Sequence, residues 1–449
     1  MKPILRGSSR RQFLRQGAVV ATGAMVPRWA GRARAAERVE PLNIAAIGVG
    51  GMGAGDIAAV APGNRIVALC DVDGRRAAGT VRQHPDARFF EDFRRMFDAM
   101  EQEIDAVVVA TPDHTHAVAA MAAIRRGKHV YCEKPLAHSV HEIRALMGAA
   151  KEHGVVTQLG NQGHSFDSIR DFCEWIWAGT IGKVHTIHAG CEAVNSGIDQ
   201  LPRLVERHPV PDGLNWDLWQ GPALERPYHP AYLPGSWRGW VPYGNGTVGD
   251  WICHVVDPVF WALDLGAPTS VVAEVKGYDP RTQGAAFPKG EIITFEFPAR
   301  GDRGPVTLRW HSGTERIPKP PEMEGEERGI GTGAVVMGDR GTIVYGSHGA
   351  GGVRLVPESR METFRRPERT LARVPGGHQQ DWLRAIRGGT RAGSDFAYGG
   401  PLTEVGLLGV IAIKFPGVRL EWDSAAMRFT NHDEANAWVN PPYRAGWTL

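Results

Sequence analysis

The chain of 449 residues has no uninterrupted apolar run of about 18 residues, so a polytopic membrane protein is excluded. Cysteine is scarce. Cys70, Cys132, Cys173, Cys191 and Cys253 lack paired spacing, which argues against a disulfide framework or a zinc ribbon. Cys70 and Cys132 end apolar runs and read as buried thiols. No internal repeat is found. Neither a His-Glu-x-x-His metal motif nor a Gly-x-Ser-x-Gly nucleophile elbow is present. Acid is missing from residues 1–35, which hold eight Lys/Arg, leaving 43 basic against 49 acidic side chains in the rest. A slightly acidic body is a poor partner for nucleic acid. With 43% apolar and 22% charged residues the chain is neither disordered nor fibrous, and its length suits two or three domains.

Residues 1–35 run from Ser9-Arg10-Arg11-Gln12-Phe13-Leu14 through a weakly apolar stretch, 17–26, to Ala33-Arg34-Ala35. A basic segment, a short hydrophobic segment and a small-residue cleavage site make an export signal. The paired arginines before Phe-Leu resemble a bacterial twin-arginine signal. The resemblance implies the twin-arginine translocase as a transient partner, export of an already folded protein to the periplasm, and no membrane attachment after cleavage.

From residue 42 the chain alternates strand and helix. The apolar run 42–47 leads into Gly48-Val49-Gly50-Gly51-Met52-Gly53, a G-x-G-x-x-G, and then a helical pattern over 54–61. Gly48 suits a tight turn, Gly50 and Gly51 a close backbone approach to a pyrophosphate, and Gly53 close helix–strand packing. Met52 opens the helix, whose unpaired N–H groups favour phosphate. A second run, 66–70, ends in Asp71, 18 residues after Gly53, where an acid can accept from adenosine ribose hydroxyls. This favours NAD. Arg75 and Arg76 would instead suit a 2′-phosphate, so NADP stays open.

Further runs at 104–110 and 129–132 end in Thr111-Pro112-Asp113-His114-Thr115-His116 and Glu133-Lys134-Pro135. Helical stretches at 93–100, 117–126 and 141–153 separate them, predicting right-handed crossovers and a parallel sheet. Ligands bind beyond the carboxyl ends of such strands. These motifs resemble the glucose–fructose oxidoreductase/inositol dehydrogenase (Gfo/Idh/MocA) family over most of residues 42–449. The resemblance implies an α/β protein: a doubly wound Rossmann domain, 36–160, then an α+β domain, 161–449, with a large open, mostly antiparallel sheet. It also implies that Lys134 contacts the substrate hydroxyl, that Glu133 lies near the nicotinamide ribose, and that the protein forms dimers or tetramers. Thr111, Pro112, His114 and His116 are the further expected cofactor contacts. A lysine beside a cationic nicotinamide is expected to titrate lower than usual.

After another short strand, 155–159, Gly160-Asn161-Gln162-Gly163-His164 would bring polar side chains to the same crevice, with Asn161 an expected cofactor contact. Asp250 and His254 are spaced i, i+4 and so share a helix face. There a carboxylate could orient an imidazole that takes the alcohol proton. The pattern is similar to the family's Asp-x-x-x-His motif, which assigns His254 as acid/base and Asp250 as its partner. Asp257 reads as a packing acid, and no metal site is expected. The stretch 209–243, rich in Pro, Gly and aromatics, reads as a long ordered insertion of the kind that forms binding loops. Indole rings there suit a carbohydrate or polyol, with Trp237, Trp240 and Trp251 the first candidates. Strands are expected at 271–275, 292–297, 306–310 and 335–345, an edge strand at 420–422, and helices at 379–386 and 402–413 in the second domain. A Pro/Glu-rich flap is expected at 317–329.

The expected activity is NAD(P)-dependent hydride transfer at a secondary hydroxyl of a sugar or polyol. Because an exported enzyme finds no free NAD pool, the cofactor is expected to stay bound through many turnovers. Two alternatives remain: a glycoside hydrolase or epimerase acting through a transient keto-sugar, and a non-catalytic periplasmic sugar-binding protein.

Overall fold

Four-residue runs such as Ala106–Val109, with every side chain buried, need covering on both faces, which is the habit of a central parallel strand. The computed structural model describes residues 40–323 and 329–449. The expected signal, and residues 324–328 of the expected flap, lie outside the described residues. The first sheet contains β1 (Asn43–Ile47), β2 (Arg65–Cys70), β3 (Arg88–Phe90), β4 (Ala106–Val109), β5 (His129–Cys132) and β6 (Thr157–Leu159). Its order is β3-β2-β1-β4-β5-β6, parallel throughout. The order reverses between β1 and β4, and the glycine turn leaves β1 at that switch point, where open α/β sheets bind ligands.

The second sheet has nine strands: β7 (Val184–Cys191), β8 (Ser270–Glu274), β9 (Gly290–Phe297), β10 (Val306–Gly313), β11 (Gly333–Gly338), β12 (Gly341–Gly346), β13 (Arg354–Val356), β14 (Leu420–Asp423) and β15 (Arg428–Phe429). Its order is β13-β12-β11-β7-β10-β9-β8-β14-β15, antiparallel except where β7 meets β10. The sequence reading missed β7, although it is central. Its Val-His-Thr-Ile-His-Ala-Gly-Cys run carries two histidines, one exposed and one half-buried, and lacks a strong alternation.

Two helices from the C-terminal part join the layers. Helix 396–412 packs on helix 246–255, where a Cβ on Gly406 would lie 2.7 Å from Ile252 Cγ2. It also meets helix 140–152 through Arg144, whose Nε donates to Glu404 at 2.6 Å. Helix 378–386 departs from expectation: Trp382 and Leu383 pack with Ile44, Ala46 and Ile57 in the first sheet's core. Its amphipathic pattern specified a buried face, but not which sheet would cover it.

Candidate active site

The glycine turn is shaped by contacts within the chain. Gly48 has φ 81°, and a Cβ there would sit 2.6 Å from the Ala110 carbonyl oxygen. A Cβ on Gly53 would overlap the Gly48 carbonyl, so helix 52–60 and β1 can approach only without it. Gly51, at φ 57°, faces open space apart from the Arg76 guanidinium. The helix has no side-chain cap, so its first N–H groups are free to meet an anion. The turn opens into a cleft of about 980 Å³ lined by Gly48, Gly50, Gly51, Met52 and Asp71 at one end. Lys134, Trp237, Trp251 and His254 line it further along.

Asp71 does more than wait for a ribose. Its Oδ2 accepts from the backbone N–H of Val49 (2.9 Å) and Gly50 (3.3 Å), and its Oδ1 from that of Asp73 (2.9 Å). Burial raises its pKa. The carboxylate therefore clamps the turn, and its remaining lone pairs face the cleft. Arg75 is tied to Asp73 at 2.7 Å, while Arg76 covers Gly50 and Gly51. The residues present fit a dinucleotide: an uncapped helix start, an open glycine, a carboxylate at the second strand's end, and a buried Thr111 hydroxyl with no partner among the described residues.

At the opposite end of the cleft, Lys134 follows β5. Its Nζ donates to Asp250 Oδ1 (2.6 Å) and to the Asp250 carbonyl (3.0 Å). Asp250 also accepts from Arg238 Nε (3.2 Å) and Asn195 Nδ2 (3.0 Å). This corrects the expected Asp250–His254 pair. The i, i+4 spacing does put both on helix 246–255, but two cations capture the carboxylate first. Asp250 lies beneath Lys134 and does not line the cleft. Burial opposes the charge on Asp250, yet Lys134 and Arg238 hold its carboxyl well below the usual range. Burial likewise works against the Lys134 cation, but Asp250 and Glu133 outweigh it, so its pKa stands above that of an ordinary lysine. The expected lowering is not found in the protein alone.

His254 is buried, its Nδ1 has no partner among the described residues, and its ring stacks on His348 with centroids 4.1 Å apart. Burial, then Lys134 and His348, push its pKa well below the usual value, leaving a neutral imidazole able to accept a proton. Glu133 lines the cleft and accepts from Gln162 Nε2 at 2.7 Å. Burial and then Asp56 raise its pKa.

Other expected residues separate into two groups. Thr111, Pro112 and His116 line the cleft; His116 is in the first turn of helix 113–124 rather than a loop, its ring nitrogens 2.7 Å from the Pro135 and Thr111 carbonyls, one of which takes the ring's N–H. Burial lowers its pKa to about 4. His114, Asn161 and Trp240 do not reach the cleft. His114 sits between the Tyr243 (3.1 Å) and Trp219 (3.0 Å) carbonyls, and the single N–H of its neutral ring donates to one of them, fastening the insertion to the first domain. Asn161 donates to Asp257 (2.9 Å), which also bonds His164 and Tyr398. Trp240 is in the insertion's own core with Trp216, Trp219 and Tyr243, its indole N–H donating to the Ala231 carbonyl at 3.0 Å.

Gln162, from the polar stretch after the sixth strand, does line the cleft, whereas sequence reasoning missed Arg238, Asn195 and His348. Only His348, in the glycine-rich Ser347-His348-Gly349-Ala350-Gly351-Gly352, carried a local signal. Among the described residues, Glu206, His208 and His229 have metal-like spacing. His229 Nδ1 accepts from the Ala231 N–H at 3.1 Å, which leaves the proton of the neutral ring on Nε2, the atom a metal would need.

Residues 42–161 match the oxidoreductase family's NAD-binding Rossmann fold, and residues 196–294 its C-terminal alpha/beta domain. An inositol 2-dehydrogenase of Rubrobacter xylanophilus is 40% identical over 26% of this chain and 33% of that protein. A levoglucosan dehydrogenase of Pseudarthrobacter phenanthrenivorans is 29% identical over 60% of this chain and 63% of its own. The chain spans 25% to 63% of the length of the curated relatives it matches. An inositol dehydrogenase homologue of Azotobacter vinelandii, solved with NADH and myo-inositol, superimposes with a TM-score of 0.56 at 17% identity, covering 86% of this chain and 99% of that one. This likeness shows the fold. Both matched domains are those of the Gfo/Idh/MocA family of NAD-binding oxidoreductases, and the nucleotide turn of the first is intact.

Proposed function

We propose that this protein oxidises a secondary hydroxyl of a sugar or polyol, using an NAD that stays bound in the cleft. The observation that carries the reading is Lys134, held at 2.6 Å by Asp250, in the same cleft as His254 and the glycine turn. Two of the three Lys134 N–H donors are occupied by Asp250 atoms. The third can donate to a substrate oxygen. Lys134 stabilises negative charge as the O–H bond breaks, and the neutral His254 imidazole accepts that proton. The nicotinamide, when bound, supplies the acceptor for the hydride that leaves the same carbon. Glu133 and the clamp at Asp71 orient the two ends of the cleft, while Trp237 and Trp251 exclude water and offer apolar faces to a sugar ring.

The paired arginines at 10 and 11 support export of the folded, loaded protein, and retention of its nucleotide follows from the lack of a free pool outside the cytoplasm. Dimers or tetramers paired through the second sheet would agree with the family resemblance. The test is to denature the purified exported protein and analyse the released nucleotide, then to present a panel of sugars and polyols to the native protein at the absorbance of its reduced cofactor. Stoichiometric NAD(H) and reduction by at least one polyol are expected. Absence of any nicotinamide nucleotide, with no calorimetric binding of added NAD, would falsify the reading.

A further inference from the structure

We propose that His348 reads a hydroxyl adjacent to the one engaged by Lys134 and His254, so that the site selects vicinal diols. The inference rests on the dehydrogenase reading and concerns the same cleft. His348 comes from the loop between β12 and β13, far in sequence from every other residue of the site. Four hydrogen bonds pin that loop. The His348 N–H donates to the His254 carbonyl (3.0 Å), and Ser168 Oγ to the Gly349 carbonyl (2.6 Å). Gly346 N–H donates to Gly351 (2.7 Å), and Val353 N–H to Ala350 (3.2 Å). Gly163 packs so closely that a Cβ there would meet the His348 backbone.

This pinned loop holds His348 at φ 55° and Ala350 at φ 59°. Glycine adopts that region without cost, and three of the loop's seven residues are glycine already. A histidine costs more there than glycine would, and such outliers collect where a side chain is needed at a site. The ring's position supplies the need. It lines the cleft, half-buried, and stacks on His254 at 29°. Trp251 stands edge-on to both rings, 5.8 Å from each. Ser347 Oγ lies 2.9 Å from Nδ1, and Nε2 has no partner among the described residues. Burial and the Lys134 charge lower the ring's pKa, so it is neutral and can donate or accept. Two stacked imidazoles with centroids 4.1 Å apart suit oxygens on neighbouring carbons.

The test uses the NAD-loaded protein and two variants. H348G deletes the ring and is the residue best suited to φ 55°; H348N keeps a short polar side chain. Cyclitols and aldoses, each with a monodeoxy counterpart, are titrated while tryptophan fluorescence reads binding and cofactor absorbance reads reduction. H348G is expected to bind the diols about tenfold more weakly and the deoxy counterparts about equally, with H348N between. Equal losses for both ligands, or no loss, would overturn the inference. Binding with diol discrimination but no cofactor reduction removes the dehydrogenase reading and leaves His348 as a diol reader. Reduction with unchanged discrimination in H348G removes the role of His348 alone. If no panel member binds the unmodified protein, both fall.

Discussion

Asp250→Asn separates two accounts of the site. The carboxylate neutralises Lys134 at 2.6 Å and Arg238 at 3.2 Å. Lys134 and Asp250 are almost fully withdrawn from water, with side chains 13% and 10% exposed. Removing one partner of such a pair costs roughly 3–5 kcal/mol, because the other charge stays buried. Arg238 is about a third exposed and adds little after solvent screening. Unfolding entropy of roughly 2.1 cal/mol/K per residue, over about 400 residues, converts that cost to a fall in Tm of roughly 4–6 °C. The pH profile gives an independent reading. Without the carboxylate the Lys134 cation loses its main support, so its pKa falls from above 10.5 and the alkaline limb of kcat/KM moves to lower pH. Thermal unfolding at neutral pH and initial rates across the alkaline range measure both effects. A Tm within about 1 °C of the parent, together with an unmoved alkaline limb, would refute the Lys134 partnership. A loss confined to kcat at every pH would favour the local Asp250–His254 pair.

Three further outcomes follow from the same geometry. Gly48→Ala forces a Cβ to 2.6 Å from Ala110 at φ 81°, whereas Gly51→Ala meets only the flexible Arg76 end. Calorimetric NAD titration and thermal scans should show lost binding and stability in the first, and a cost near ~1 kcal/mol in the second. His114→Ala should lower stability by roughly 1–3 kcal/mol, since a buried carbonyl loses the neutral ring's single N–H, while NAD affinity stays unchanged; a matching loss of affinity would place His114 at the cofactor after all. His254 titrates well below 6.5, and its neutral form accepts the proton, so oxidation should be as fast near pH 6 as at neutrality. An acid limb centred at 6.5 would mean an ordinary, solvated imidazole.

Much of the first sheet was legible because parallel strands buried on both faces appear as short apolar runs, and helices between them as periodic ones. The run at 129–132 coincides with β5, whereas β3 and β7 were missed because Arg88-Phe89-Phe90 is too short and the β7 histidines dilute its pattern. The cleft's nucleotide end was legible for a related reason: a glycine turn and the acid after the next strand belong to one local unit. The reacting end was legible by residue but not by partner. Helical spacing placed Asp250 and His254 on one face, and the face looked onto Lys134, 116 residues distant.

The sequence by itself determined which segments become strands and helices, where the chain can approach a phosphate, and which titratable groups the protein has to use. Those properties depend on neighbours within one or two turns of chain. Only tertiary structure decided which charges meet, that His114, Asn161 and Trp240 fasten elements together instead of facing the cleft, and that a loop from the second sheet lays His348 on His254. Burial and Coulomb attraction act through space, and a carboxylate pairs with the nearest desolvated cation, whatever its distance along the chain.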